Sequence, residues 1–241
     1  MEASVHKLKQ TEFRQGIQGG LSIAIGYSPV ALTFGLLAKT SGLTLFEAVL
    51  MSMIVFAGAS QYIGLNMFAL GTGAAEIIMT TFIVNIRHFL MSASLNEKVE
   101  ADASWKKAIY AFGVTDESFS VAATKPGTVT TGYLFGLNSI GYVSWVVCSG
   151  IGYALGASLP QVLQESMGIA LYAMFVGLLV PSLKKSVKVA CLAILSAAFN
   201  SIFVFSEAMS KGWAIVAATL LSAVLIETVE TIKRKGQDND E

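Results

Sequence analysis

The chain has 241 residues, of which 54% are apolar and only 13% charged, and its mean hydropathy is +0.64. Soluble domains carry about one quarter charged residues, so these figures define an integral membrane protein and exclude an ordinary soluble domain. Basic and acidic residues balance at 16 each, which excludes an electrostatic grip on nucleic acid, and two histidines and two cysteines are too few for a zinc cluster or a disulfide scaffold.

Charge placement divides the chain. Residues 1–15 form a polar tail (Lys7, Lys9, Glu12, Arg14) without the apolar core and cleavage site of a removable signal peptide. Residues 16–38 carry no charge and are the first expected span. Pro29 lies near its middle and lacks a backbone donor, so it is an expected helix break. A second span is expected over 48–70 and a third over 74–95, the latter holding Asn85, Arg87 and His88. The charged stretch from Glu97 to Lys107 belongs in water.

Residues 106–124 are ambiguous, because Thr115-Asp116-Glu117 interrupts an apolar stretch. An acid at the membrane centre costs about 2.5–3.5 kcal/mol. The segment therefore crosses only with its acids facing protein or water; otherwise it is a re-entrant hairpin or an interfacial helix. Further spans are expected at 131–157, 164–181, 187–206 and 212–230, followed by a polar tail over 232–241. The last has fifteen uncharged residues before Glu227, about 22 Å of helix, which places Glu227 near an interface.

The expected fold is an all-α integral membrane protein, a bundle of seven to eight transmembrane helices forming one transporter domain over 16–231. Counting loop cations leaves the number open. Eight spans place ten of fifteen inside and seven place eleven, and both put Lys233-Arg234-Lys235 in the cytoplasm. A weak similarity between Ala31–Ala38 and Ala173–Val180 would, in an eight-span chain, make an inverted repeat of the kind that carries broken helices.

Three polar clusters carry the candidate chemistry. Thr81, Asn85, His88 and Ser92 share one helical stripe, with Arg87 about 100° away. An arginine at this depth needs a partner or a path to water; it either snorkels toward the 97–107 loop or lines a polar cavity. There His88 is a candidate proton carrier, since imidazole titrates near pH 6.5. Asp116 and Glu117 are the second cluster: one balances Arg87 or both are solvated, and the other is free to bind a proton or a cation. The third is Phe56-Ala57-Gly58-Ala59-Ser60-Gln61-Tyr62, read as close helix packing or as a break whose backbone holds a zwitterion. Zinc-protease, serine-hydrolase, nucleotide-loop and dinucleotide signatures are all missing, so neither enzyme chemistry nor a cofactor is expected.

These motifs together resemble the azaleucine-resistance family of bacterial branched-chain amino-acid exporters (AzlC-like, also called BrnF- or YgaZ-like). The resemblance runs from Phe13-Arg14-Gln15-Gly16 and the Pro29 region through Phe56–Gln61. It is clearest in Asn85-Ile86-Arg87-His88 and Thr115-Asp116-Glu117-Ser118-Phe119, and it continues in Ala173–Pro181. It implies a multi-pass protein of the bacterial plasma membrane that exports Val, Leu, Ile and sometimes Met, driven by protons and working with a small AzlD-like membrane subunit. A homo-oligomer is compatible with the same sequence. Where the family often has an aspartate before the late motif, this chain has Gly168, with Glu165 one turn earlier.

On this reading Gly58, Ser60, Gln61, Asn85 and Arg87 are candidate substrate-binding residues, and His88, Asp116 and Glu117 are candidate ion-coupling residues. The alternatives are a channel for another small metabolite and a membrane scaffold that moves nothing.

Overall fold

The structure is a computed structural model and describes residues 2–155, 186–207 and 209–238, with isolated positions between 162 and 184. Among the described residues the regular secondary structure is helical, with one isolated bridge between Val99 and Val129. The helices are α1 (Glu2–Thr40), α2 (Leu45–Ile54), α3 (Gly58–Ala69), α4 (Ala74–Asn96), α5 (Ser104–Phe112), α6 (Asp116–Thr124), α7 (Thr131–Leu155), α8 (Val187–Phe205) and α9 (Lys211–Asp238). Among the described residues, five stretches are long and apolar enough to cross a bilayer: Thr11–Thr40, Ala74–Asn96, Thr131–Leu155, Val187–Phe205 and Gly212–Ile232. The expected span at 164–181, with Glu165, Gly168 and the Ala173–Pro181 motif, lies outside the described residues except at isolated positions. The chain divides into two compact units, residues 1–69 with 84–171 and residues 70–83 with 172–241.

The first unit is organised by α1 against α7. Gly16 and Gly20 meet Tyr133, Leu137 and Ile140, whereas Gly35 meets Ser149 and Tyr153. Positions rise together along both helices, so α1 and α7 run parallel. Glycines from each side let the backbones touch: Gly136 abuts the Phe13 carbonyl and Gly152 the Leu32 carbonyl. Without a hydrophobic drive between helices in lipid, such close approach is a main source of packing energy. No break occurs at Pro29, contrary to the sequence expectation, and α1 continues to Thr40. Nearby hydroxyls take up carbonyls around the proline, with Ser28 and Ser144 donating to Ala24 O and Thr33 to Pro29 O.

The interruptions lie elsewhere. The expected single span at 48–70 is two helices of ten and twelve residues separated by Val55-Phe56-Ala57. At about 1.5 Å per residue, neither reaches across a 30 Å core. Contacts show that they fold back on each other. Leu43 O accepts from Tyr153, Ser52 bonds Ser149, and Phe56 at the tip lies 6.3 Å from the Tyr27 ring and 5.2 Å from the Tyr142 ring. The chain then returns, since Gln61 bonds back to Ser52 and Tyr62 reaches Val30 O and the Phe34 ring. A capping box between Thr44 and Glu47 starts the hairpin.

The ambiguous segment 106–124 is a second hairpin, entering from the opposite end of the α1–α7 pair. Lys107 bonds Asn96 near its start, and Phe112 lies 6.1 Å from the Tyr142 ring near the tip. On the way back, Thr115 meets Tyr27, Val121 meets Gly19, and Lys125 lies 3.7 Å from Glu12. Ala123 O accepts from Lys98, so the hairpin leaves at the end where α4 finishes. Asp102, just before it, is held well below the usual carboxylate range, at about 2, by hydrogen bonds from the Lys106 ammonium and the Ala103 N–H.

In the second unit α8 and α9 are antiparallel, with Lys188 2.8 Å from Glu227 and 2.6 Å from Glu230. Glu76 accepts from the Ser210 hydroxyl and the Gly212 N–H, tying the start of α4 to the start of α9.

Candidate functional site

The tips of the two hairpins converge on the middle of α4, on Tyr27 of α1 and on Tyr142 of α7. Asn85, Arg87 and His88 project there from successive positions of one helix and reach different partners. Asn85 Oδ1 accepts from Ser60 of α3 at 2.6 Å, and Arg87 Nη1 pairs with Asp116 Oδ2 of α6 at 2.7 Å. His88 Nδ1 lies 2.8 Å from Val114 O in the second interruption. Thus α4 is stitched to one hairpin by Asn85 and to the other by Arg87 and His88.

A carbonyl oxygen only accepts, so His88 donates to it through Nδ1, and the other ring nitrogen is Nε2. That atom is buried without a partner, as is Arg87 Nε. The Tyr27 hydroxyl lies 2.6 Å from both Glu117 Oε2 and Thr115 Oγ1. A phenol has one proton, so with Glu117 ionised it donates to the carboxylate and accepts from the threonine. Protonating Glu117 reverses the demand on Tyr27. Thr115 is also the N-cap of α6, accepting from Ser118 N. Asp116 and Glu117 occupy the first turn of that helix, where the helix dipole favours negative charge.

Gly58 and Gln61 have a different role from Ser60. A Cβ on Gly58 would lie 2.6 Å from the Trp145 ring. Gln61, fully buried, accepts from Trp145 Nε1 at 2.6 Å and donates to Ser52, which donates to Ser149 at 2.9 Å; Ser149 closes the ring on Trp145 O. These bonds clamp the first hairpin to α7. Ser60, Asn85, Arg87, His88, Asp116 and Glu117 are brought together at the hairpin tips; Gly58 and Gln61 stand on the packed side of the first hairpin, and Pro29 is one residue from Val30, whose carbonyl takes the Tyr62 hydroxyl. Sequence reasoning missed Tyr27, Tyr142 and Trp145. The available signal was an aromatic at depth with a polar tip, which needs a partner when buried.

An α-helical membrane protein with its polar side chains gathered at two helix interruptions is the class that fold and site define. The chain belongs to the AzlC family: the model of AzlC protein matches residues 22–159. It is 31% identical over 202 residues to the inner membrane protein YgaZ of Escherichia coli K12, covering 80% of this chain and 82% of that one. An uncharacterized membrane protein of Archaeoglobus fulgidus is 33% identical over 183 residues, covering 75% and 80%. The branched-chain amino acid transport protein AzlC of Bacillus subtilis 168 is 25% identical over 179 residues, covering 73% and 70%. No solved structure matches the chain.

Proposed function

We propose that this protein is a proton-coupled secondary exporter of Val, Leu, Ile and Met, working with a small AzlD-like membrane subunit. The observation that carries this reading is the convergence of Arg87–Asp116, His88 and Tyr27–Glu117 on the tip of one hairpin. A zwitterion needs a cation for its carboxylate and an anion for its ammonium, and the Arg87–Asp116 pair supplies both once it opens. His88 and Glu117 are the proton carriers, Glu117 acting through Tyr27. The printed name of the Bacillus subtilis relative supports the substrate class.

Topology supports transport rather than scaffolding. With both hairpins re-entrant, the proposed crossings are α1, α4, α7, the span expected from the sequence at 164–181, α8 and α9. Parallel α1 and α7 require an odd number of crossings between them, which α4 alone supplies. This layout puts thirteen of the fifteen loop cations on one side, leaving Lys39 and Lys211 on the other. That bias exceeds the ten or eleven of the eight- and seven-span layouts and places both chain ends in the cytoplasm. Two hairpins entering from opposite faces are an inverted arrangement about the membrane plane.

Leucine efflux from proteoliposomes under an imposed pH gradient, with and without the small subunit, tests the function. Gradient-dependent efflux is expected, strongest with the subunit. Efflux indifferent to the gradient would leave a facilitator, and none at all would leave the scaffold.

A further inference from the structure

An open groove enclosing about 200 Å³ lies between α5 and α7 beside the second hairpin tip, with Ile109 and Phe112 about half exposed on its rim. Ile109, Phe112, Phe135 and Tyr142 give it an apolar wall, and Asn138 and Ser139 are its polar members. Its volume is below the 300–1,000 Å³ of drug-sized sites, so its guest is a small metabolite. Three features mark it as built for an occupant. Asn138 is only 7% exposed and donates through Nδ2 to Tyr110 O at 3.0 Å, yet its Oδ1 is buried with no partner. Gly113 keeps the hairpin tip against this side chain, since a Cβ there would lie 2.8 Å from Asn138. Tyr142 belongs to the cavity and to the other hairpin as well, its hydroxyl donating to Met53 O at 3.0 Å and its ring touching Phe56.

The cavity is continuous along the chain with the proposed site: Phe112 and Gly113 line it, Val114 holds His88 and Asp116 pairs with Arg87. An aliphatic side chain suits the aromatic wall. We infer that this cavity is the side-chain pocket of the transported amino acid, next to the Arg87–Asp116 pair that takes its charged ends. This rests on the amino-acid transport reading above and adds to it the residues that select the side chain. A guest without an apolar side chain leaves the aromatic wall unfilled, and one larger than leucine meets Phe135.

The test is competition against labelled leucine efflux by glycine, alanine, valine, leucine, methionine and phenylalanine, in proteoliposomes of the full chain with its small subunit. Phe135→Ala enlarges the cavity and is expected to raise the effectiveness of phenylalanine relative to valine about tenfold or more, the scale of one methylene in an apolar pocket. Ser139→Phe fills it and is expected to move the preference toward alanine. Retention of a monodisperse, cooperatively unfolding protein establishes that each variant folds. An unchanged order of competitors in both Phe135→Ala and Ser139→Phe, with leucine efflux intact, overturns the pocket and leaves the transport reading standing. Failure of the unsubstituted protein to move any neutral amino acid overturns both.

Discussion

Replacing Gly35 by alanine tests the parallel α1–α7 seam on which both hairpins hang. The added Cβ would fall 2.0 Å from Ser149 O, 2.5 Å from Tyr153 N and 3.0 Å from Gly152 C, where real Cβ atoms essentially never come closer than 3.0 Å. The obstacle is backbone in a second helix, so no side chain can swing aside and the helices must part by about 1 Å. Overpacking of this kind costs about 1–3 kcal/mol, and the rigid obstacle places Gly35→Ala near the upper end. Alanine is the better helix former by about 1 kcal/mol, which offsets part of the cost and leaves a net loss of about 2 kcal/mol. For a chain of this size that is a fall of about 4–8 °C in Tm. Gly26 in the same helix is the control, because nothing lies within 4 Å of its Cβ position; Gly26→Ala is expected to be neutral or slightly stabilising. Thermal unfolding of the three purified proteins in one detergent measures both. Equal midpoints for Gly35→Ala and Gly26→Ala would refute the seam.

Four further outcomes are expected. Arg87→Gln and Asp116→Asn should each destabilise by about 2 kcal/mol, between the values for exposed and buried pairs since both side chains are about a third or less exposed; the double variant should cost less than the sum by thermal unfolding, yet still fail to export. Gln61→Leu leaves the buried Trp145 N–H unpaired and should cost about 1–3 kcal/mol, read by the same melts. Cysteines placed at Lys39 and Lys106, in a background with Cys148 and Cys191 replaced by alanine, should label from outside only at 39; labelling of both would restore the eight-span layout. Asp102 should titrate at about 2 by carboxyl-carbon NMR. Because its folded value is depressed, its stabilising contribution is present above the ordinary carboxylate value of 3.8 and is lost as pH falls through about 2; Lys106→Met should return it toward 3.8.

Much of this site was legible in the sequence for a simple reason: charge in an apolar run is expensive, so Arg87, His88, Asp116 and Glu117 announce themselves. That Arg87 pairs with Asp116 rather than Glu117 was not legible, because adjacent residues on α6 diverge by about 100° and the choice depends on how the hairpin is rotated. The α3 and α4 elements show a second limit. Residues 48–70 and 74–95 are both mainly apolar stretches with scattered polar residues, and composition alone reads both as spans. What separates them is Phe56, where the chain turns back, and its support comes from Tyr27 and Tyr142, which are 29 and 86 residues away in sequence. Pro29 misled in the opposite direction, since α1 runs through it to Thr40, with hydroxyls, one of them from α7, on the neighbouring carbonyls of Ala24 and Pro29. Gly16, Gly20 and Gly35 carried a readable spacing of small residues, but their partners on α7 and the parallel direction required the fold.

The hairpin tips are the places where the backbone leaves the helical ladder, and three carbonyls there accept from a side chain of another element. Met53 O has Tyr142, Tyr110 O has Asn138 and Val114 O has His88. An unsatisfied carbonyl in hydrocarbon costs several kcal/mol, so a tip moves only if its carbonyl is handed to water or to a new donor. Of these three locks, only the one at Val114 is held by an imidazole, the side chain whose ordinary titration falls nearest neutral pH. His88 holds it through Nδ1 while Nε2 is buried without a partner; on the proposed function, Nε2 is where the coupling proton arrives. On that reading the second hairpin carries the proton-sensitive lock, while the first, clamped by Gln61, Trp145, Ser52 and Ser149, has no titratable member in its ring. Coupling in this protein is expected to run through movement of the α5–α6 tip against a fixed α2–α3 tip. His88→Gln, which keeps a donor for Val114 O but cannot take the proton, separates the two: leucine binding by the purified protein should survive, and the dependence of efflux on the pH gradient should disappear. Gradient dependence unchanged in His88→Gln would place the proton on Glu117 alone.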